Sequence, residues 1–203
     1  MSEEKPPVVA VLGGINGAGK TTASQFILRH AMKIPAFVNA DTIARGLNAF
    51  DPESEAMKAG RIMLEHLHEL AAKRKSFAFE TTLAARTYAV WLAELKAAGY
   101  NVHLFYFWLK HPSLSITRVA ERVRAGGHHV PDETIRRRYS RSVKNFLELY
   151  RPIVTTWQVY DNSTLPGDLI AINNGHFDTI LDDARWDLFQ RSATDGNPDD
   201  AGG

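Results

Sequence analysis

The stretch VVAVLGGINGAGKTT, residues 8–22, joins an apolar run to a glycine-rich turn and then to a helical pattern. Within it, Gly14-x4-Gly19-Lys20-Thr21 is the P-loop pattern. Glycines let backbone N–H groups converge on phosphate oxygens without an intervening Cβ, and the helix N-terminus adds partial positive charge. Because the pattern directly follows a strand-like run and opens a helix, we predict a nucleoside triphosphate site rather than a ligand-free turn.

The predicted phosphate site gives a role to each kind of residue in the pattern. Lys20 is expected to reach the β- and γ-phosphates, and the Thr21 hydroxyl is expected to face Mg²⁺. ATP and Mg²⁺ are therefore the predicted cofactors. The residues predicted to contact the nucleotide in this segment are Gly14, Ile15, Asn16, Gly17, Ala18, Gly19, Lys20, Thr21 and Thr22.

Apolar runs alternate with helical patterns along the rest of the chain. Strands are predicted at 8–14, 36–41, 76–81, 101–109, 155–162 and 169–175. Helices are predicted at about 19–33, 53–75, 84–98, 113–125, 132–150 and 178–191. The earlier strand segments are almost continuously apolar, as expected of strands buried on both faces. This alternation predicts a three-layer α/β, P-loop kinase-like fold with a mainly parallel sheet.

Composition indicates one domain of ordinary globular character. With 203 residues, we place this domain at 8–191, between flexible tails at 1–7 and 192–203. The formal net charge is +1, so no bulk positive field draws the molecule onto nucleic acid or a membrane. The chain has no cysteine, which excludes disulfides and thiolate metal sites. The polar N-terminus lacks an apolar signal segment, which predicts a cytoplasmic protein.

Two acidic residues follow predicted buried strands. The segment AFVNAD presents Asp41, and FAFETT presents Glu80 together with Thr82. In an open α/β sheet ligands bind at the carboxyl ends of the strands, so both acids are expected to face the phosphate site. There a carboxylate can hold Mg²⁺ or its waters, or take a proton from an attacking hydroxyl. Two structural alternatives stay open: a helix N-cap for Asp41 and a buried hydrogen-bond acceptor for Glu80.

Five segments together resemble the zeta toxin family of P-loop kinases. They are GGINGAGKTT (13–22), FVNAD (37–41), FAFETT (77–82), GYNVHLFYFWL (99–109) and LSITRVAERVRAGGHHVP (114–131). Characterised members of that family transfer a phosphoryl group from ATP·Mg²⁺ to a sugar hydroxyl of UDP-N-acetylglucosamine. The resemblance therefore implies a small-molecule kinase of this kind, with an antitoxin protein as an expected partner.

The resemblance also implies roles for individual residues. Asp41 matches the family's catalytic base, because it stands at the same distance after the P-loop lysine. Glu80 and Thr82 match the substrate-side acid and threonine, and Arg122 matches an arginine that clamps the nucleotide phosphates. Lys20, Asp41 and Arg122 are thus the residues expected to carry out catalysis.

At two positions the chain departs from the family pattern. A second phosphate-clamping arginine of the toxins aligns with His128 here. The corresponding nucleotide contact is expected from His128 or from the arginines that follow it, Arg136 to Arg138, of which Arg136 is preferred. An arginine just after the ET segment of the toxins aligns with Ala84, which leaves Arg86 as the nearest candidate for substrate binding.

The segment GGHHVPDETIRRRYSRS, residues 126–142, places a run of arginines directly after two glycines. Such a run of like charges is unfavourable unless water or an anion offsets it, and the triphosphate supplies an anion. We therefore predict a helical lid at about 122–140 that closes over the nucleotide and excludes water. On the helix before the glycines, Arg122 flanks the inward face, whereas Arg118 lies opposite that face.

The helical periodicity predicts which arginines of the following helix face inward and which face solvent. Its apolar stripe comprises Ile135, Tyr139, Val143, Phe146 and Tyr150. Arg136 lies beside the stripe and is expected to lean inward. Arg137 and Arg141 point to the opposite side, where solvent surrounds them, and Arg138 is intermediate.

Three functions are compatible with these patterns. The preferred one is transfer of the γ-phosphoryl group of ATP to a hydroxyl of a nucleotide sugar such as UDP-N-acetylglucosamine. An alternative is a kinase of a nucleoside, a nucleotide or a polynucleotide 5′ end, which a basic groove with stacking aromatics beside Asp41 would favour. The third is a regulatory ATPase without an acceptor, whose ATP turnover would not respond to added hydroxyl compounds.

Overall fold

The computed structural model describes residues 5–127 and 129–194, and within them seven strands form one sheet. The strands are β1 (Val8–Gly14), β2 (Ala36–Val38), β3 (Phe77–Thr81), β4 (Asn101–Trp108), β5 (Thr156–Asp161), β6 (Asp168–Asn173) and β7 (Asp178–Ile180). Their order in the sheet is β2-β3-β1-β4-β5-β6-β7. β1 to β5 pair in parallel, and the β5–β6 and β6–β7 pairs are antiparallel. The predicted α/β class with a mainly parallel sheet is thereby confirmed.

Helices connect these strands. They are α1 (Lys20–Phe26), α2 (Ala40–Leu47), α3 (Ala56–Ala72), α4 (Thr87–Ala97), α5 (Pro112–Arg124), α6 (Asp132–Asn145) and α7 (Asp183–Arg191). π-Helical turns at Ile27–Met32 and Phe146–Tyr150 extend α1 and α6. Of the helices in the described residues, none combines the length and apolar character needed to cross a membrane.

Two predicted elements include residues that belong to a different kind of element in the structure. The strand predicted at 36–41 ends at Val38, because the Asn39 side chain accepts a hydrogen bond from the Thr42 backbone N–H and so begins α2. The helix predicted at 178–191 begins at Asp183, because residues 178–180 form the edge strand β7. Both differences lie at the ends of elements and do not change the α/β class of the fold.

Both faces of the central strand are covered. Val9, Ala10, Val11 and Leu12 of β1 are consecutive and fully buried, although side chains along a strand alternate between its faces. Phe77, Ala78 and Phe79 of β3 are buried in the same way. The continuous apolar runs of the sequence therefore correspond to strands enclosed between two helical layers, as predicted.

Aromatic side chains attach the helices to the sheet. The rings of Phe77 and Phe79 lie 6.0 and 6.2 Å from the Trp91 ring of α4. The Tyr106 ring of β4 lies 4.8 Å from Phe146 at the end of α6. The C-terminal end of α6 is therefore anchored in this core.

Strand register brings the predicted site residues together. Leu12 of β1 is level with Glu80 of β3, and Val38 of β2 is level with Phe79. The residue after each of these strands therefore emerges at the same edge of the sheet. The P-loop, Glu80 and Asn39 meet there.

Candidate active site

The P-loop backbone adopts conformations that favour glycine. Gly14 has a φ of +130°, and a Cβ atom there would lie 2.1 Å from the carbonyl oxygen of Phe107. Gly17 and Gly19 have φ values of +75° and +78°, in the left-handed region where other residues are strained. Gly19 immediately precedes α1, so the turn leads directly into a helix N-terminus. This backbone has the form of a phosphate cradle.

Lys20 lies inside this cradle. Its Nζ atom donates hydrogen bonds to the carbonyl oxygens of Gly14 (3.0 Å) and Ile15 (2.9 Å) and lies 3.9 Å from Glu80 Oε1. Burial lowers the pKa of Lys20, while the nearby carboxylates of Glu80 and Asp41 oppose this shift. The ammonium group is thus held in a confined pocket, with a carboxylate at the edge of contact range.

Glu80 connects the P-loop to the neighbouring strand. Its Oε2 atom accepts a hydrogen bond from the Thr21 hydroxyl and another from Asn39 Nδ2, each at 2.8 Å. Sequence reasoning missed Asn39, although an asparagine directly before a helix start is an N-cap signal. The Thr21 hydroxyl and the Glu80 carboxylate are adjacent hard oxygen donors, which is the ligand chemistry that Mg²⁺ prefers. The donor set therefore fits the predicted metal.

Asp41 lies in the first turn of α2 and is exposed to the cleft. The N-cap of α2 is Asn39, whose Oδ1 atom accepts a hydrogen bond from the Thr42 N–H at 3.2 Å. The alternative interpretation of Asp41 as an N-cap is therefore wrong. Its carboxylate is left facing the same cleft as Lys20.

One cleft brings together Lys20, Asp41 and Arg122 with several of the other predicted site residues. It is lined by Asn16, Gly17, Lys20, Asn39, Ala40, Asp41, Gly60, Met63, Glu80, Thr81, Thr82, Tyr88, Arg122, Val130 and Arg138. Ile15 and Ala18 are buried beneath the cradle, and Thr22 is exposed at the start of α1. Arg86 is exposed just before α4 and does not line the cleft, so the placement predicted for it beside the substrate is not observed.

The lid arginines are arranged differently from the helical-phase prediction. Arg136 is exposed rather than leaning inward, and Arg137 and Arg141 are exposed as predicted. Arg138 instead is half-buried and lines the cleft. Burial lowers the pKa of Arg138, the neighbouring Arg137 lowers it further, and Asp41 opposes the shift. The other candidate for the same contact, His128, lies outside the described residues.

The error in phase has a physical cause. An apolar stripe identifies the face of a helix that packs on the hydrophobic core, and the side that faces a polar site carries polar residues. On α6 the buried face includes Ser142, which the apolar stripe does not count. Arg138 lies four residues, about one turn, before Ser142 and shares its side of the helix. Ser140, four residues after Arg136, is buried as well, so the burial of hydroxyls does not by itself choose between Arg136 and Arg138.

The two lid glycines end α5 and pack against the phosphate-clamp candidate. Gly126 has a φ of +82°, and its N–H donates to the Val123 carbonyl at 2.9 Å. A Cβ atom at Gly127 would lie 2.5 Å from Arg122 Cγ and 2.7 Å from the Arg122 carbonyl oxygen. The turn therefore folds closely over Arg122, whose side chain lines the cleft.

Helix α6 also holds the loop that follows Glu80. The Ser142 hydroxyl donates to the Thr82 carbonyl at 2.5 Å, and Asn145 Nδ2 donates to the Leu83 carbonyl at 2.8 Å. Leu83 is fully buried and has a φ of +56°, which is unusual for a residue with a branched side chain. These bonds fix the loop carrying Thr82 to the same helix that carries Arg138.

The fold and this cleft define a class of protein. A P-loop with a lysine, a facing carboxylate and arginines from two helices in the same cleft is the arrangement of a phosphotransferase. The zeta toxin family matches residues 1–165, so the chain belongs to the zeta toxin family. An uncharacterised protein of Haemophilus influenzae is 27% identical over 126 residues, which cover 62% of this chain and 88% of that protein.

Solved structures of similar fold include a two-component complex and a toxin–antitoxin system. The AvrRxo1-ORF1:AvrRxo1-ORF2 complex with sulphate ions has a TM-score of 0.73 at 13% identity, covering 93% of this chain. The chain spans 64% of the length of that structure, which has also been solved with ATP. The PezAT toxin–antitoxin system of Streptococcus pneumoniae has a TM-score of 0.64 at 17% identity, covering 96% of this chain and 81% of that one. Family and fold together support an ATP-dependent kinase.

Proposed function

We propose that the protein transfers the γ-phosphoryl group of ATP to a hydroxyl of a nucleotide sugar, with UDP-N-acetylglucosamine as the preferred acceptor. One observation carries the phosphotransferase part of the proposal: Lys20, Asp41 and Arg122 line a single cleft beside the P-loop. The acceptor follows from membership of the zeta toxin family, whose pattern Asp41, Glu80 and Thr82 match.

Asp41 would act on the acceptor. Its carboxylate takes the proton of the attacking hydroxyl while that oxygen forms a bond to the γ-phosphorus. The bond from the γ-phosphorus to the bridging oxygen breaks, and ADP leaves with the electron pair. Asp41 suits this role because it is exposed to the cleft and is not the cap of its helix.

The cations of the cleft would neutralise the transferring group. Lys20 lies inside the cradle, and Arg122 and Arg138 line the cleft from α5 and α6. Thr21 and Glu80 would hold Mg²⁺, which when bound neutralises charge on the β- and γ-phosphate oxygens. Preorganised charges of this kind are the main means by which a protein accelerates phosphoryl transfer.

Acceptor dependence of ATP consumption tests the proposal. ATP turnover is measured alone and with UDP-N-acetylglucosamine, other nucleotide sugars, nucleosides and 5′-hydroxyl oligonucleotides. We expect turnover to rise only with nucleotide sugars. A rise with nucleosides or oligonucleotides instead would support a kinase of those acceptors. Turnover that does not respond to any compound would indicate a regulatory ATPase.

A protein partner is also part of the proposal. The similar structures include a toxin–antitoxin system and a two-component complex, which supports an antitoxin for this chain as well. Co-expression of the chain with the gene product encoded beside it, followed by co-purification, tests this.

Arg122→Ala is expected to lower turnover at saturating ATP at least roughly a hundredfold, an effect of about 2.7 kcal/mol. Arg122 lines the cleft beneath the Gly127 turn, so its charge acts where the phosphoryl group transfers. The matched control is Arg137→Ala, because Arg137 is exposed and lies outside the cleft lining. We expect a change of less than about threefold there. Equal losses in both variants would mean that the arginines act only as a diffuse field.

Arg138→Ala is expected to lower turnover roughly tenfold or more, because a half-buried charge facing the cleft is lost. Arg136→Ala serves as its control, since Arg136 lies two residues away on the same helix and is exposed. Steady-state kinetics of both variants distinguishes the two positions. A loss at Arg136 with normal activity at Arg138 would restore the helical phase that the sequence predicted.

A further inference from the structure

Two carbonyl groups of the P-loop are held from outside by side chains that the P-loop pattern does not include. The Ser115 hydroxyl donates a hydrogen bond to the Asn16 carbonyl oxygen at 2.5 Å. Asn162 Nδ2 donates to the Ala18 carbonyl oxygen at 2.7 Å. Both donors are buried, with 0% of Ser115 and 7% of Asn162 exposed. They come from different elements: Ser115 lies on α5, and Asn162 follows β5.

Because of the geometry of the peptide bond, each of these contacts also sets the direction of the backbone N–H group that follows. In a trans peptide the C=O of one residue and the N–H of the next point to opposite sides. Fixing the Asn16 carbonyl toward α5 therefore directs the Gly17 N–H away from that helix. Fixing the Ala18 carbonyl toward Asn162 directs the Gly19 N–H away from the β5 end. Phosphate oxygens in a P-loop are bound by backbone N–H groups of this kind.

The Ser115 donor is built closely against the loop it holds. A Cβ atom at Gly17 would lie 3.1 Å from the Ser115 carbonyl oxygen and 3.2 Å from Arg118 Cβ. Glycine at position 17 therefore permits α5 to approach the P-loop this closely. The approach is what brings the Ser115 hydroxyl within reach of the Asn16 carbonyl.

The Asn162 donor is fixed on several sides. Its backbone N–H donates to the Trp108 carbonyl at 2.9 Å, and its own carbonyl accepts from Arg118 Nη1 at 2.8 Å. A Cβ atom at Gly167 would lie 1.7 Å from Asn162 Oδ1, so a larger residue there would displace the Asn162 side chain. Arg118 was predicted to lie opposite the packed face of α5, yet it is half-buried and also donates to the Ser163 carbonyl at 3.0 Å.

We propose that Ser115 and Asn162 are positioning residues for the phosphate cradle, Ser115 orienting the Gly17 amide and Asn162 orienting the Gly19 amide. The inference rests on the proposed nucleotide binding. It extends that proposal to two residues that need not touch the nucleotide, and it assigns each of them one amide. Loss of either donor leaves a buried carbonyl free to rotate and its paired N–H misdirected.

Nuclear magnetic resonance with Mg·ATP as the probe can follow each amide separately. In the wild-type protein we expect both the Gly17 and the Gly19 amide resonances to move on titration with Mg·ATP. In Ser115→Ala the movement at Gly17 is expected to shrink while that at Gly19 persists. In Asn162→Ala the pattern is expected to be reversed. We expect the Kd for Mg·ATP to rise about fivefold to tenfold in each variant.

Matched variants separate positioning from folding. Thr117→Ala removes a hydroxyl from the exposed side of the same helix, where it donates to the Ser113 carbonyl at 3.1 Å. It should leave both resonances and the Kd unchanged. Ser115→Thr retains a hydroxyl and should restore most of the affinity. Asn162→Asp retains shape but cannot donate, so it should bind Mg·ATP no better than Asn162→Ala.

Each outcome has a distinct meaning. A wild-type protein whose amides do not respond to Mg·ATP would overturn the proposed nucleotide binding itself. Normal binding by the wild type together with normal responses in both alanine variants would overturn the positioning role alone. Equal damage at Gly17 and Gly19 in either variant, with a lowered melting temperature without ligand, would also overturn it, because the contacts would then serve general stability.

Discussion

Lys20→Ala is expected to abolish phosphoryl transfer and to leave the protein folded. The lysine is the cation inside the cradle, where its Nζ atom bonds to the carbonyl oxygens of Gly14 and Ile15. Burial lowers the pKa of Lys20, which means that enclosing the ammonium group is itself unfavourable. Removing the group therefore relieves one cost while two hydrogen bonds are lost, and these changes offset each other. Turnover and the melting temperature are measured on the same preparation.

Lys20→Met provides the control for this variant, because it keeps most of the apolar part of the side chain and removes the ammonium group with its charge and its two hydrogen bonds. We expect it to be as inactive as Lys20→Ala and to melt within a few degrees of the wild type. Wild-type turnover in either variant would remove the P-loop from the mechanism altogether.

Asp41→Asn is expected to lower turnover by roughly 10²–10⁴ with nearly unchanged affinity for ATP. The amide keeps the shape of the carboxylate and one acceptor oxygen but cannot accept a proton. Asp41 lines the cleft with Lys20 and Arg138 and does not cap α2, so a structural effect of the substitution should be small. Measuring both turnover and the Kd for ATP separates an effect on catalysis from an effect on ATP binding.

Asp183→Asn is the matched control for Asp41→Asn. Both residues are acids in the first turn of a helix, and Asp183 lies in α7, outside the cleft lining. Each substitution should cost about 0.3–1 kcal/mol of interaction with the helix dipole. Only the change at Asp41 should affect turnover. An Asp41→Asn variant that melts earlier with full activity would show that the carboxylate serves stability alone.

The sheet could be predicted from the sequence because the burial of a strand determines which residue types it contains. Strands enclosed on both faces, such as β1 and β3, appear as continuous apolar runs, and the P-loop pattern locates the turn that follows β1. Strand β7 is only three residues long and lies at the sheet edge, so it leaves too short a pattern to distinguish from the helix that follows.

Site residues that belong to a motif or follow a strand could be predicted from the sequence. Site residues that are brought to the cleft by tertiary packing could not. Lys20, Asp41 and Glu80 follow from the P-loop and from strand ends, and all of them line the cleft. Arg138 was not preferred over Arg136 because an apolar stripe marks the core side of a helix and gives no sign of a polar cleft. Ser115 contacts the P-loop across 99 positions of sequence, a distance that no local pattern spans.

Mass spectrometry of UDP-N-acetylglucosamine after incubation with ATP, Mg²⁺ and the protein tests the proposed phosphoryl transfer. We expect a product that carries one additional phosphoryl group on a sugar hydroxyl, formed in step with ADP. Wild-type protein should form it, and Lys20→Ala and Asp41→Asn should form none or only traces. Consumption of ATP without any phosphorylated sugar nucleotide would contradict the proposed acceptor, and equal product from the wild type and both variants would contradict the proposed site.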